Sequence, residues 1–272
     1  VKFLWATGFL FFLLGQSSAQ SSEENLPLWE LGFAGGFFSL PEYMGSDERY
    51  TLPLGVPYLI YRGEIIKADR DGLRGALFEK DQFSVDLGFS FGLPVSNSNK
   101  ARRGMPGLFL TGQVGPRLNW EFKEFANRST ISTHLPVRFS MDTHGNTLGW
   151  VAEPSFKWEK KHLGKAENIS ARLDLGLLYA QRRYNDYYYS VPAQFATSER
   201  AEYQAQSGLH SYFLRLSSTL QQTQQLNIGF FIRLRTLDSS VVADSPLVRD
   251  KLYLSTGIGF TWIFMKSKTG GS

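Results

Sequence analysis

The chain has 272 residues, 26 glycines, 15% aromatic residues and no cysteine, and its 29 basic and 25 acidic side chains leave a net charge of only +4. The lack of cysteine excludes a disulfide framework, thiolate metal sites and a cysteine nucleophile, and the near balance of charge gives no footprint of a nucleic-acid binder. No cofactor is expected.

The first nineteen residues run from Lys2 through an apolar block, Phe3 to Leu14, to the small residues Ser17-Ser18-Ala19. The block falls short of the roughly 20 residues of a spanning helix, and small residues at its end read as a secretory signal peptide cleaved after Ala19. The expected organisation is a signal peptide at 1–19, one domain at 20–264 and a tail at 265–272. No second apolar run of spanning length follows, which excludes a helical membrane protein.

From there the dominant signal is period two. Trp29, Leu31, Phe33 and Phe37 alternate with Glu30, Gly32, Ala34 and Gly36. Leu52 to Glu79 reads as three short strands, Leu52 to Arg62, Glu64 to Asp69 and Leu73 to Glu79, with turns at Arg62-Gly63 and Arg70-Asp71-Gly72. Next, Phe83, Val85, Leu87, Phe89, Phe91 and Leu93 oppose Ser84, Asp86, Gly88, Ser90 and Gly92. Leu108, Leu110, Gly112, Val114, Pro116, Leu118, Trp120 and Phe122 oppose Thr111, Gln113, Arg117, Asn119 and Glu121. Ile131, Leu135, Val137, Phe139 and Met141 oppose Ser132, His134, Arg138, Ser140 and Asp142.

The pattern continues with Leu148, Trp150, Ala152, Phe156 and Trp158 against Gly149, Glu153, Ser155 and Lys157, where Val151 is an apolar intruder on the polar side. Ile169, Ala171, Leu173, Leu175, Leu177 and Tyr179 oppose Ser170, Arg172, Asp174 and Gly176. Tyr212, Leu214, Leu216 and Leu220 form another stripe. Leu226, Ile228, Phe230, Ile232 and Leu234 face away from Asn227, Gly229, Arg233 and Arg235, and the last stripe is Leu252, Leu254, Ile258, Phe260, Trp262 and Phe264.

These windows run for about ten to fourteen residues, whereas sandwich strands average about 5 to 6, and tilted spanning strands need about 9 to 11. The connections alternate in length as those of an outer-membrane barrel do. The longer ones are Ser39 to Tyr50, Pro94 to Gly107, Arg183 to Ser207 and Asp238 to Asp250. The short ones are Lys80-Asp81, Glu124 to Arg128, Lys161 to Glu167 and Gln222 to Gln224, and the tight turn Thr143 to Asn146 is an exception among the outer loops. The expected fold is all-β, a closed antiparallel transmembrane β-barrel of about twelve strands with ten as the alternative, in the outer membrane of a Gram-negative-type bacterium.

Glu42-Tyr43-Met44-Gly45-Ser46-Asp47, Tyr61-Arg62-Gly63 and Lys67-Ala68-Asp69-Arg70-Asp71-Gly72-Leu73-Arg74-Gly75 resemble the MipA/OmpV family. So do Arg103-Gly104-Met105-Pro106-Gly107-Leu108, Gly115-Pro116, Tyr187-Tyr188-Tyr189-Ser190-Val191, Arg200 with Tyr203, and Ser245-Pro246-Leu247-Val248. The resemblance implies an outer-membrane barrel. It also implies a non-enzymatic scaffold that associates with a murein lytic transglycosylase and links it to murein synthesis; a narrow diffusion or uptake channel is the alternative.

Candidate chemistry is sparse. Asp69-x-Asp71-Gly72 echoes a calcium loop, but Lys67 and Phe78 stand where the anchoring carboxylates belong. The charges Arg62, Glu64, Lys67, Asp69, Arg70, Asp71 and Arg74 suit an interior salt-bridge network that narrows the lumen. Lys100, Arg102 and Arg103 suit contact with the phosphates of lipopolysaccharide in the surrounding outer-membrane lipid. Tyr184, Tyr187, Tyr188 and Tyr189 read either as a ligand-stacking loop or as an extension of an aromatic girdle. His210-Ser211 has the composition of a hydrolase pair without a supporting motif, and with His134, His144 and His162 it reads as structural or surface histidine.

Overall fold

A computed structural model describes residues 27–62, 66–69, 72–125, 128–163 and 166–268, with backbone alone for 62, 66–69, 72–76, 123–124 and 166–167. The expected signal peptide lies outside these residues. The first strands are β1 (Trp29–Pro41), β2 (Arg49–Arg62), β3 (Ile66–Asp69), β4 (Gly72–Lys80), β5 (Phe83–Gly92), β6 (Thr111–Phe125) and β7 (Ser129–Asp142). There follow β8 (Thr147–Ala152), β9 (Ser155–Leu163), β10 (Ala166–Ala180), the helix α1 (Arg182–Tyr189), β11 (Gly208–Gln221), β12 (Leu226–Thr236) and β13 (Leu252–Lys266).

All strands belong to one large antiparallel sheet. Each pairs with its chain neighbour, and β13 pairs with β1 from Glu30 and Lys266 to Ser39 and Thr256. β8 and β9 lie end to end along β7, separated at Glu153-Pro154, so the thirteen segments fill twelve strand positions. Pro154 has no N–H to offer a ladder, and Pro136 stands opposite the break, where the Glu153 amide donates to its carbonyl at 3.1 Å. The expected triplet between 52 and 79 is present as β2, β3 and β4. β13 passes the expected boundary at Phe264 and runs to Lys266, because the Ser267 amide still donates to the Trp29 carbonyl at 2.9 Å.

The side chains sort as period two requires. On one face Phe37 is 63% exposed and Trp262 52%, in the company of Phe33, Phe89, Leu175, Leu214, Phe230 and Ile258. On the other, Asp86, Asn119, Asp174, Asn227, Arg235 and Thr261 are buried. That distribution inverts the rule for a water-soluble domain. Aromatic rings gather towards the ends of the strands: Trp120 packs on Phe83 at 5.1 Å and on Phe122 at 4.8 Å, and Trp150 stacks on Tyr179 at 5.6 Å.

Two expected positions face the other way. Leu148 belongs to the apolar outer stripe by strict alternation but is only 4% exposed and lies in the inner cluster. The cause is a bulge: Ser140 pairs with Gly149 and Met141 with Thr147, which leaves Leu148 as the extra residue, and Gly149 takes a φ of +81° that favours glycine. Leu108 precedes β6, bridges to Val95 in the loop and is buried with it.

β2 departs from the regular ladder. β1 accompanies it from Arg49 to Tyr61, but on its other side β3 pairs only with Tyr61 and Arg62 among the described residues. Pro53 and Pro57 are four apart on this strand and turn their missing donors towards the same neighbour. The side without a ladder tolerates them.

Close contact between β6 and β7 depends on Gly115. A Cβ there would collide with the Val137 carbonyl oxygen and lie 2.8 Å from the Arg138 Cα, whereas a Cβ on Gly112 of the same strand meets nothing within 4 Å. Gly115→Val should lower unfolding stability in denaturant titrations by about 1–3 kcal/mol, the usual cost of overpacking, while Gly112→Ala stays within about 0.5 kcal/mol of the parent.

Candidate functional site, a capped and arginine-lined interior

One end of the sheet carries the short connections; the other carries the loops at 42–48, 93–110, 181–207 and 237–251, which fold together into a cap. At its centre is α1. A helix of eight residues does not hold itself together in water, and this one survives by packing. Tyr184, Asn185, Tyr188 and Tyr189 form its buried stripe, against Val151, Leu178, Ala180, Val242 and Tyr253. Val151, the apolar intruder on the polar side of its strand, therefore sits directly within the cluster that holds the cap.

The remaining contacts are long-range and mostly end on backbone carbonyls. The Tyr43 hydroxyl donates to the Leu247 carbonyl at 2.7 Å, Tyr189 to Met44 at 2.9 Å, and Ser245 Oγ to Tyr189 at 2.7 Å. Tyr203 donates to Val241 at 2.8 Å. Arg200 Nη1 donates to the carbonyls of Ala101 at 3.0 Å and Arg103 at 2.9 Å, while its Nη2 holds Phe195 at 2.7 Å. The segments 42–47, 103–108, 187–191, 200–203 and 245–248, distant in the chain, thus meet in one assembly.

Of the basic loop residues, Arg102 is buried and donates from Nη1 to the Tyr188 carbonyl at 3.0 Å, so it braces the cap from within. Lys100 and Arg103 stay at the surface, Lys100 3.5 Å from Glu48. The tyrosines of α1 are neither a free ligand loop nor part of a lipid-facing girdle; Tyr184, Tyr188 and Tyr189 are buried and only Tyr187 is partly open. Sequence alternation missed this because the loop has no strand period.

His210 and Ser211 are both fully buried, which adjacent strand residues achieve only through the bulge opposite Leu178 and Tyr179. They do not pair with each other. His210 Nε2 lies 3.0 Å from the Tyr189 hydroxyl, and Ser211 Oγ accepts from Arg235 Nη1 at 2.7 Å. Among the described residues no three His, Asp or Glu side chains gather to hold a metal.

Below the cap the inner face is apolar along β1 and β2, where Phe38, Val56, Tyr58 and Ile60 cluster, and charged from β5 to β12, mostly in directly opposed cross-strand pairs. Asp86 and Arg117 are register partners joined at 3.0 and 2.9 Å, and Asn119 Nδ2 adds a 2.9 Å bond to the same carboxylate. His134 continues this chain, 2.6 Å from Asn119 Oδ1 and 3.1 Å from Ser132 Oγ. Arg172 with Glu159, and Arg215 with Asp174, are register partners at 2.9 Å. Nearest the cap, Arg235 Nη2 reaches Glu153 at 3.2 Å and Arg138 Nε reaches Gln113 at 3.1 Å.

Of the hairpin charges proposed to narrow the lumen, Glu64, Arg70 and Asp71 lie outside the described residues, as do the side chains of Arg62, Lys67, Asp69 and Arg74. The described charge network instead uses residues whose inward position alternation already gives: Asp86, Arg117, Arg138, Arg172, Asp174 and Arg235 on strands, and Glu153 between β8 and β9. The signal that would have selected them is a charge at a position facing away from an apolar stripe.

Burial pushes the hydroxyls of Tyr43, Tyr188 and Tyr189 above the ordinary tyrosine range, because a phenolate there would lose its water. A raised folded value means that this stabilisation is complete below the unfolded tyrosine pKa and fades as pH climbs through the folded one. Absorbance titration of the folded protein should show a group of tyrosines that ionise only when the cap opens in strong alkali, with the two changes coinciding. Ionisation of every tyrosine near pH 10 without structural change would contradict the buried cap.

No curated protein matches the chain significantly. Solved structures to which it is similar include the bacterial polysaccharide outer membrane secretin, at 10% identity over 89% of this chain and 99% of that one, with a TM-score of 0.44. Others are the CymD monoaromatic hydrocarbon channel, at 10% identity over 89% and 90% with a TM-score of 0.37, and the outer membrane protein OprG from Pseudomonas aeruginosa, at 9% over 89% and 95% with 0.24. The model of the family described as MltA-interacting protein MipA matches residues 33–264, and the chain belongs to that family.

Proposed function

We propose that the sheet is a closed barrel spanning the outer membrane of a Gram-negative-type bacterium, with the cap outside and the short turns in the periplasm, and that it serves as a non-enzymatic interaction protein. The proposed partner is a murein lytic transglycosylase held near the machinery of murein synthesis, a reading that draws on the family's description as MltA-interacting. An outward apolar face with aromatic ends fits lipid on the outside, and a buried polar face fits the interior of a barrel. The observation that carries the reading is the cap: the outer mouth is filled by a packed tyrosine cluster and buried arginines, which suits a barrel that presents surfaces more than one that passes solutes.

A second reading, a narrow uptake channel, draws on the arginine-rich layer under the cap and requires the cap to move. Exposure of Lys100 and Arg103 on the cap supports them as candidates for contact with lipopolysaccharide phosphates, though Lys100 also lies 3.5 Å from Glu48; Arg102 is spent on the Tyr188 carbonyl.

Purified barrel in detergent, immobilised on a surface, should retain purified transglycosylase of the MltA type. Lys100→Glu with Arg103→Glu should leave that binding unchanged, since the docking face is at the opposite end. Absence of retention would overturn the scaffold reading; retention abolished by the two rim substitutions would place the docking face on the wrong side of the membrane.

A further inference from the structure

The interior ion pairs between register partners follow a rule that Arg233 breaks. Asp86 faces Arg117, Glu159 faces Arg172 and Asp174 faces Arg215 across adjacent strands, each acid matched to its base. Arg233 of β12 faces Arg215 on one side and Ser255 on the other. Arg215 is already taken by Asp174 at 2.9 Å. Arg233 has no hydrogen-bond or ion-pair partner among the described residues, and its Nε is buried without one. Its guanidinium lies over the face of Phe213, 5.2 Å away, and that of Arg235 lies 4.9 Å from the same ring.

The neighbourhood adds to the imbalance. Arg235 holds Glu153 directly at 3.2 Å, and the same carboxylate lies within electrostatic reach of Arg138 and Arg233. Neither of those two contacts it. Like charges directly opposed across a sheet destabilise it, and a guanidinium offers five donors in a planar fork suited to an oxyanion. Tyr184 and Tyr253 of the cap cluster lie within electrostatic reach of Arg235.

We propose that Arg233, with Arg235 beside it on β12, forms an interior binding site for an oxyanion, a phosphate or carboxylate group entering from the end opposite the cap. The site sits one inward position further from the cap than Arg235, so a ligand reaches it without disturbing α1. Arg233 supplies the free donors, and the ligand replaces the counter-charge that the strand opposite lacks. This does not rest on the scaffold reading: a barrel that binds no transglycosylase could still hold the anion, and the reverse.

The test uses the whole barrel purified in detergent and inorganic phosphate as the probe, with chloride at equal ionic strength as the control. Wild type should bind phosphate saturably in calorimetry and melt at a higher temperature in its presence. Arg233→Gln should weaken that binding by about tenfold or more and abolish the thermal shift. Arg103→Gln on the exposed rim should change neither. Because Arg233 makes no hydrogen bond and opposes Arg215, Arg233→Gln without phosphate should melt at the wild-type temperature or above it. Four results would overturn the site: no saturable binding by wild type, an equal response to chloride, unaltered binding by Arg233→Gln, or a lowered melting temperature of that variant without phosphate.

Discussion

Wherever an apolar face looks outward along strands of this length, the backbone amides and carbonyls can find partners only in neighbouring strands. In hydrocarbon no water is at hand to take them. The pairing of β13 with β1 answers that constraint, since it leaves neither terminal strand with an open ladder. Much else in the fold follows from it. Period two sends every second side chain inward, the sheet must turn through twelve strand positions, and breaks in the ladder fall where proline or a bulge makes them tolerable. β2 is an exception among the described residues: on its β3 side only Tyr61 and Arg62 are paired, and Pro53 and Pro57 remove two of the donors that would otherwise go unpaired there.

The inner face then has its own problem, because buried charges need partners. Register supplies them, placing Asp86 against Arg117 and Asp174 against Arg215 so that each pair forms across one strand gap. Such pairs set register and fill space more surely than they add net stability. Nearer the cap the composition changes to tyrosine, valine and leucine, and the interior becomes a hydrophobic seat for α1. Arg102 and Arg200 work there as multi-pronged donors to loop carbonyls, which gives the irregular backbone of the cap the partners that a strand would otherwise provide.

The parts of this architecture that depend on local pattern were legible in the sequence. Alternation placed the outward stripes, and the turn residues between 52 and 79 divided that stretch into three short strands; the break at Pro154 lay inside what alternation reads as one continuous strand. What alternation could not show depends on contacts far apart in the chain. Leu148 changes face because of a bulge at Gly149, and nothing in composition distinguishes that glycine from Gly112. His210 and Ser211 looked like a pair because they are adjacent, but a second bulge sends them to different partners. The tyrosines of α1 and the loop arginine Arg102 read as surface residues because loops have no period from which burial can be inferred. The segments that carry the family resemblance were recognisable one by one; that they converge on the cap is visible only in three dimensions.

In the proposed barrel the loops of the cap seal the outer mouth. Single-channel recording of the purified protein in a planar lipid bilayer, beside a variant in which Arg182 to Ser207 is replaced by a short glycine-serine link, tests this most directly. A silent intact protein and a conducting variant are the predicted pair of results. Stable conductance steps from the intact protein would contradict the seal and turn the arginine layer into the lining of a pore.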